Sequence, residues 1–257
     1  MLWVSPKRVA QILGGAITIL SLAGLGTQWI RYTFGHDYQR GLNWLFTLDL
    51  EGNLPAWYSS TALALAATLL SLIGARKKDQ GASYANHWFA LCIIFFYLSI
   101  DEAISIHEKA GSIFAPFQLT GVFYYNWVIL GIGFVVVVGL SYLRFLMALP
   151  PVHRWRFICA GTVYVTGALA VEMIEARWAS LHGPGNLIYA TFVWIEETLE
   201  MVGVAVFIYA LWVYIEEEIA SMILTVPPSL SRGQTVTRNP GRLHSVDDQY
   251  RPTGTDN

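Results

Sequence analysis

Residues 88–108 read WFALCIIFFYLSIDEAISIHE. The stretch has the length of a bilayer-crossing helix, about 20 residues, and its first part is almost wholly apolar. Its last third then carries Asp101, Glu102, His107 and Glu108. An ionised acid in hydrocarbon is expensive, so such a residue marks a site or a pathway. Two further stretches repeat the pattern. ALAVEMIEA (168–176) holds Glu172 and Glu175, and VWIEETLEMVG (193–203) holds Glu196, Glu197 and Glu200.

The rest of the chain supports a membrane reading. Of its 257 residues 54% are hydrophobic and only 13% charged, against about 25% charged in a soluble domain. Six apolar stretches are long enough to span, at about 9–31, 56–75, 88–108, 123–147, 154–177 and 189–215. The first exceeds a typical signal-peptide core and lacks a clean small-residue cleavage site, so it reads as a helix. Trp29, Trp57, Trp88, Trp127, Trp155, Trp178 and Trp212 fall near predicted helix ends, as an aromatic belt requires. Cys92 and Cys159 lie in apolar runs and read as small buried hydrophobes. The fold class is therefore all-α, a bundle of six transmembrane helices. Residues 1–8 form the N-terminus, 9–220 the membrane domain, and 221–257 a polar tail rich in Pro, Gly, Ser and Thr that reads as disordered.

Basic residues set the orientation. With both termini cytoplasmic, twelve of the sixteen Lys and Arg fall inside, and Arg31, Arg40, Lys109 and Arg177 fall outside. A bacterial inner membrane is the expected location. The net charge of −2 gives no sign of a nucleic-acid partner. On this topology the acids of all three stretches lie at one level in the outer half, within roughly 15 Å of the surface at 1.5 Å per residue. Asp101, Ser105 and Glu108 are spaced i, i+4, i+7 on one face of an unbroken helix, with His107 at its edge. Glu172 and Glu175 are i, i+3, as are Glu197 and Glu200. Asp37, Asp49 and Glu51 in the first outer loop add to the same side, and LDLEGNLPAWYSS (48–60) is placed to fold over the site. Pro55 suits the first turn of the second span.

Charge has to be balanced. Lys109, Arg177, His107 and His182 are the cations near eight acids, which leaves a deficit of about four, and clustered carboxylates in low dielectric cannot all stay ionised. A divalent metal meets that deficit. Carboxylates with one imidazole suit Fe, Mn or Zn, and oxygen alone suits Mg or Ca. The expected ligands are Asp101, His107, Glu108, Glu172, Glu197 and Glu200, with Glu175 or Glu196 left free as a general base.

Known motifs match in part only. A carboxylate-bridged di-iron bundle uses two Glu-x-x-His pairs, whereas this chain has Glu-x-x-Glu twice. His107-Glu108 is not followed by the second His of a zincin helix. Asp49-Leu-Glu51-Gly-Asn53 fails as a calcium loop, because Leu54 and Ser60 stand where Gly and Glu are needed. The fourth stretch, which includes VILGIGFVVVVGL, reads as a lipid-facing scaffold, and Tyr124, Tyr125, Asn126 and Trp127 before it read as interfacial anchors. Gly14, Gly15, Gly24 and Gly26 in the first stretch suggest close helix packing. Glu216, Glu217 and Glu218 read as a solvated run.

Asp-Glu-Ala-x-x-x-His-Glu (101–108), with Glu-Glu-x-x-Glu-Met (196–201) downstream, resembles uncharacterised bacterial multi-pass membrane proteins. The resemblance implies a polytopic protein and no particular activity. The functional expectation is a metal-dependent membrane oxidoreductase or hydrolase acting on a lipid-like or quinone-like molecule. A proton-coupled or cation transporter, or an accessory subunit of a membrane complex, are the alternatives.

Overall fold

The computed structural model describes residues 4–35, 43–50 and 52–225. The polar tail lies outside the described residues, as do Asp37, Arg40 and Glu51. Two compact units divide the chain, Met1–Ile219 and Ala220–Asn257. The first holds the features discussed below.

The described residues are helical, with no strand among them. The helices are α1 (Pro6–Phe34), α2 (Asn43–Phe46), α3 (Leu54–Asp79), α4 (Ala85–Ile104), α5 (Ile106–Gly111), α6 (Val128–Ala148), α7 (Pro151–Val165), α8 (Glu172–His182) and α9 (Leu187–Thr225). A π-helical segment, Thr166–Val171, joins α7 to α8 into one long span. Six helices are long and apolar enough to cross a membrane, which makes this a polytopic membrane protein.

Local sequence sets the helix starts. Ser5, Asn53 and Asn186 accept hydrogen bonds from Arg8, Ala56 and Tyr189 backbone N–H groups, meeting donors that a helix start leaves open. Pro6, Pro55 and Pro151 stand in first turns, where a missing N–H is harmless.

Where backbone or hydroxyl groups sit in apolar surroundings they must be satisfied inside the protein. Ser60 and Ser99 each donate to the other's carbonyl, at 2.7 and 2.8 Å, and stitch α3 to α4. Tyr142 donates to the His87 carbonyl at 2.8 Å and ties α6 to α4. Trp194 on α9 donates to the Ser21 carbonyl on α1. The main core packs Leu63, Leu70, Trp88, Phe145, Phe157, Ile208 and Leu211. Of the glycines expected to allow close packing on α1, only Gly24 does so. A Cβ there would lie 2.9 Å from Leu48, while Gly14, Gly15 and Gly26 face open space.

Three expectations change. Cys92 is half-buried and Cys159 exposed, and both are free thiols. Glu217 and Glu218 are not simply solvated. Glu218 pairs with Lys77 at 2.7 Å, and Glu217 pairs with His153 at 2.8 Å and lies 3.8 Å from Arg156, so α9 is tied to α3 and α7. The helix expected over 88–108 ends at Ile104. Ser105 adopts a left-handed conformation (φ 47°, ψ 58°), and α5 starts afresh after it.

Candidate carboxylate site

The break at Ser105 is stabilised by the acid beside it. Asp101 accepts the His107 backbone N–H at 2.7 Å through one oxygen and meets His107 Nδ1 at 2.8 Å through the other. Both its oxygens are thus engaged by one residue, and the imidazole is fixed through Nδ1. Burial pulls the His107 pKa down, but the Asp101 hydrogen bond and the charges of Asp101, Glu108 and Glu172 outweigh it, and the net shift is upward. Because of the break, Asp101, Ser105 and Glu108 do not share one helix face as their spacing predicts. Ser105 is buried, and Glu108 is exposed on α5.

Trp127 joins this corner to α8. Its ring meets the His107 ring edge-on at 4.6 Å between centroids, and its Nε1 donates to Glu172 Oε1 at 3.0 Å. Gly111 lets the chain pass this close, since a Cβ there would lie 2.7 Å from the Trp127 nitrogen. The role of Trp127 was hidden in the sequence, where a Trp at a helix start reads as a membrane anchor.

Glu172 and Glu175, one turn apart on α8, meet Glu196 of α9. All three are buried, at 8%, 4% and 8% exposure. Each can place one carboxylate oxygen so that the three lie within 4.8 Å of one another, an arrangement able to hold a metal ion. Glu175 Oε2 has no hydrogen-bond partner although it is fully buried. His107 lies outside this group of three. Close contact between the helices carrying the carboxylates makes the group possible. A Cβ on Gly167 would lie 2.8 Å from the Glu196 carbonyl oxygen, and one on Gly203 would lie 2.7 Å from the Tyr164 backbone. Small residues at such crossings let backbones approach. The π-helical segment ends immediately before Glu172, and such segments are frequent at functional sites.

The glutamates open on a cavity of about 760 Å³. Its acid end is lined by nine carboxylates, Asp49, Asp101, Glu102, Glu108, Glu172, Glu175, Glu196, Glu197 and Glu200, together with His107 and the aromatic side chains of Tyr124, Tyr125, Trp127 and Tyr189. Tyr125 and Tyr189 are joined through their hydroxyls at 2.7 Å. Glu197 and Glu200 are half-buried, and both line the cavity. Asp49, just before α3, also reaches it, as the position of its loop in the sequence suggested. Asp49 is exposed by surface area yet borders the cavity, and desolvation by the surrounding protein pushes its pKa up to about 6, with Arg31 opposing and Glu108 and Glu172 reinforcing.

Three of the four expected counter-charges are elsewhere. Lys109 Nζ donates to the Ile104 carbonyl at 2.6 Å and closes the end of α4. Arg177 is exposed on the outer side of α8, and His182 stacks on Trp178 at 4.0 Å. Among the described residues no Lys or Arg forms an ion pair with Glu172, Glu175, Glu196, Glu197 or Glu200. The fourth apolar stretch is also more than scaffold. One face of α6, from Gly131 through Phe134, Val138 and Tyr142 to Leu146, walls the cavity.

A family profile described as "Domain of unknown function (DUF8692)" matches residues 10–214. The chain belongs to this family. The matched span contains every carboxylate of the cavity and all of α3 to α8. No curated protein gives a significant match, and neither does any solved structure.

Proposed function

We propose that this protein binds one divalent metal ion between α8 and α9 and uses it to act on a lipid-like molecule held in the cavity. The observation that carries the reading is the buried triad Glu172, Glu175 and Glu196, with ligand oxygens within 4.8 Å of one another and one Glu175 oxygen left without a partner. A buried carboxylate oxygen left with neither a cation nor a hydrogen bond is unfavourable, and a bound cation removes the penalty. All three ligands are oxygen. That chemistry favours manganese among the three metals expected from the sequence and admits Mg or Ca.

Roles shift relative to the sequence expectation. Glu175 and Glu196 become ligands beside Glu172. Glu197 and Glu200 line the cavity from the same stretch of α9 and are the carboxylates left to accept a proton from a bound water or substrate hydroxyl. Asp101 orients His107 through Nδ1, which leaves Nε2 as the ring atom open to a ligand, the arrangement that second partners of metal sites provide. Glu108, exposed on α5, lies at the rim. A metal held by these residues would supply Lewis acidity and lower the pKa of a bound water. The reaction class is metal-assisted hydrolysis or oxidation. Through the positive-inside rule the basic end is cytoplasmic and the site faces the outer leaflet, which in a bacterial inner membrane means the periplasm. The transporter reading is less well supported, because the cavity away from the acids is walled by Phe95, Phe134, Phe145 and Phe157 rather than by ionisable groups.

The test is elemental analysis of the dialysed protein in mild detergent, beside the Glu172→Gln/Glu196→Gln variant. Near-stoichiometric metal in the wild type, lost in the variant, is expected. A folded wild type that holds no metal after incubation with Mn²⁺ and removal of the excess overturns the proposal.

A further inference from the structure

Below the acids the cavity becomes a slot through the apolar part of the bundle. The wall on α6 runs from Gly131 to Leu146, about 22 Å at 1.5 Å per residue. A single leaflet is about half of a hydrocarbon core some 30 Å thick, so the slot is longer than a chain lying within one leaflet. A polar or compact substrate has no use for such a length.

Two glycines keep it open. Gly139 on α6 and Gly161 on α7 both line the slot, and a Cβ on either would meet nothing within 4 Å. Glycine inside a helix costs about 1 kcal/mol relative to alanine. At Gly167 and Gly203 close backbone packing returns that cost. At Gly139 and Gly161 no packing does, and the missing side chains provide free volume instead.

The slot also runs beside a second space. A second groove of about 500 Å³ lies between α6 and α7. Val135, Leu146, Phe157, Gly161, Val165 and Leu169 line both spaces and form the partition between them. On the α7 and π-helical side of the groove Gly161, Thr162, Thr166 and Ala170 alternate with the larger Phe157, Ile158, Val165 and Leu169. The head of the occupant is constrained by charge. Among the described residues no Lys or Arg lines the cavity, and nine carboxylates do, so even with one divalent ion bound at the proposed site the lining stays acidic and disfavours an anionic head.

We infer that the slot takes the hydrocarbon chain of a membrane lipid whose polar head carries no negative charge, admitted sideways through the groove between α6 and α7. The inference rests on the proposed site for where the head sits, while the chain's place depends on the slot alone.

The test uses the full chain in phosphatidylcholine nanodiscs and hexadecylamine carrying a photoreactive diazirine at mid-chain. Labelling is expected to concentrate on peptides from 131–146 and 157–169. Unlabelled hexadecylamine and hexadecanol are expected to compete, and hexadecanoate and octylamine to fail. Gly139→Leu and Gly161→Leu, on separate helices, are each expected to weaken labelling about tenfold, the equivalent of some two methylenes lost from an apolar site. Neither substitution meets a neighbour at its Cβ, and both variants are expected to keep wild-type metal content, so failure here is distinct from failure of the metal site. Labelling spread evenly over the outer surface, labelling unchanged in both variants, or equal competition by hexadecanoate overturns the inference.

Discussion

Gly167→Ala adds one methyl group where α9 presses against the π-helical segment. The new Cβ would lie 2.8 Å from the Glu196 carbonyl oxygen, 3.1 Å from Glu200 Cγ and 3.1 Å from Leu199 Cβ, whereas ordinary contact begins at 3.4 Å. The nearest of these neighbours is backbone and cannot rotate away, so α9 must retreat by about 0.6 Å. Overpacking of this kind costs about 1–3 kcal/mol. It also moves Glu196 away from Glu172 and Glu175 by more than the ±0.2 Å that metal–ligand distances tolerate, so Mn²⁺ affinity is expected to fall at least about tenfold, as for loss of a supporting residue. Gly161→Ala is the control. The chemistry is the same, but nothing stands within 4 Å, and helix propensity favours the variant by about 1 kcal/mol. Thermal unfolding in detergent, followed by circular dichroism, and calorimetric Mn²⁺ titration give both readouts. If the two variants show the same stability and the same affinity, the close approach at Gly167 does not hold the glutamates together and the reasoning fails.

Trp127→Phe keeps a ring against His107 and removes the Nε1 donor to Glu172; Mn²⁺ affinity is expected to drop about tenfold, and unchanged affinity would show that Glu172 is positioned without it. Asp101→Asn removes the partner that raises the His107 pKa. A raised histidine pKa stabilises the fold below the unfolded value and loses that effect as pH rises through the folded one, so the variant is expected to be less stable than wild type near pH 6 and to approach it in mildly alkaline buffer. NMR titration of His107 should show the lowered pKa directly. Asp49 has the same sign, in a more acidic window. Its folded pKa near 6 stands above its ordinary 3.8, so in metal-free protein stability falls as pH rises through that window. Asp49→Asn is expected to flatten the fall, and equal slopes for the two proteins between these values would refute the placement of Asp49 beside the cavity.

Much of the fold was legible because hydrocarbon imposes a simple rule of length and composition. The six helices follow the six apolar stretches, and the capping and proline signals mark where several begin. The site was legible as far as periodicity is local. Glu172 and Glu175 do share a face, because both lie beyond the π-helical segment and on one regular turn. Phase was lost wherever the backbone leaves the α-helix. One extra residue in a turn rotates every later side chain of the helix by roughly 100°, so no count across 166–171 could relate Glu172 to the slot face of α7. The left-handed residue at Ser105 likewise broke the spacing from Asp101 to Glu108, and nothing in Ala-Ile-Ser-Ile announces it. The slot was hidden for another reason. Gly131, Phe134, Val138 and Tyr142 form a helix face that looks the same whether it meets lipid, protein or empty space.

The two ends of the bundle dispose of their charge in opposite ways. At the basic end the acids find partners: Glu218 with Lys77, and Glu217 with His153 and Arg156. Those contacts join three helices and leave little need for an outside ion. At the acid end the cations on hand turn away. Lys109 donates to a carbonyl, Arg177 is exposed and His182 stacks on Trp178, while His107 meets Asp101. A chain able to pair its charges at one end and not at the other is not short of suitable side chains. Replacing a single neighbour of Glu175 with Lys would neutralise part of the cluster, and three buried glutamates held within reach of one point would then have no use for a cation from solution. In the proposed metal site their crowding would be the source of affinity, and the close approaches at Gly167 and Gly203 would hold the helices that carry the glutamates together.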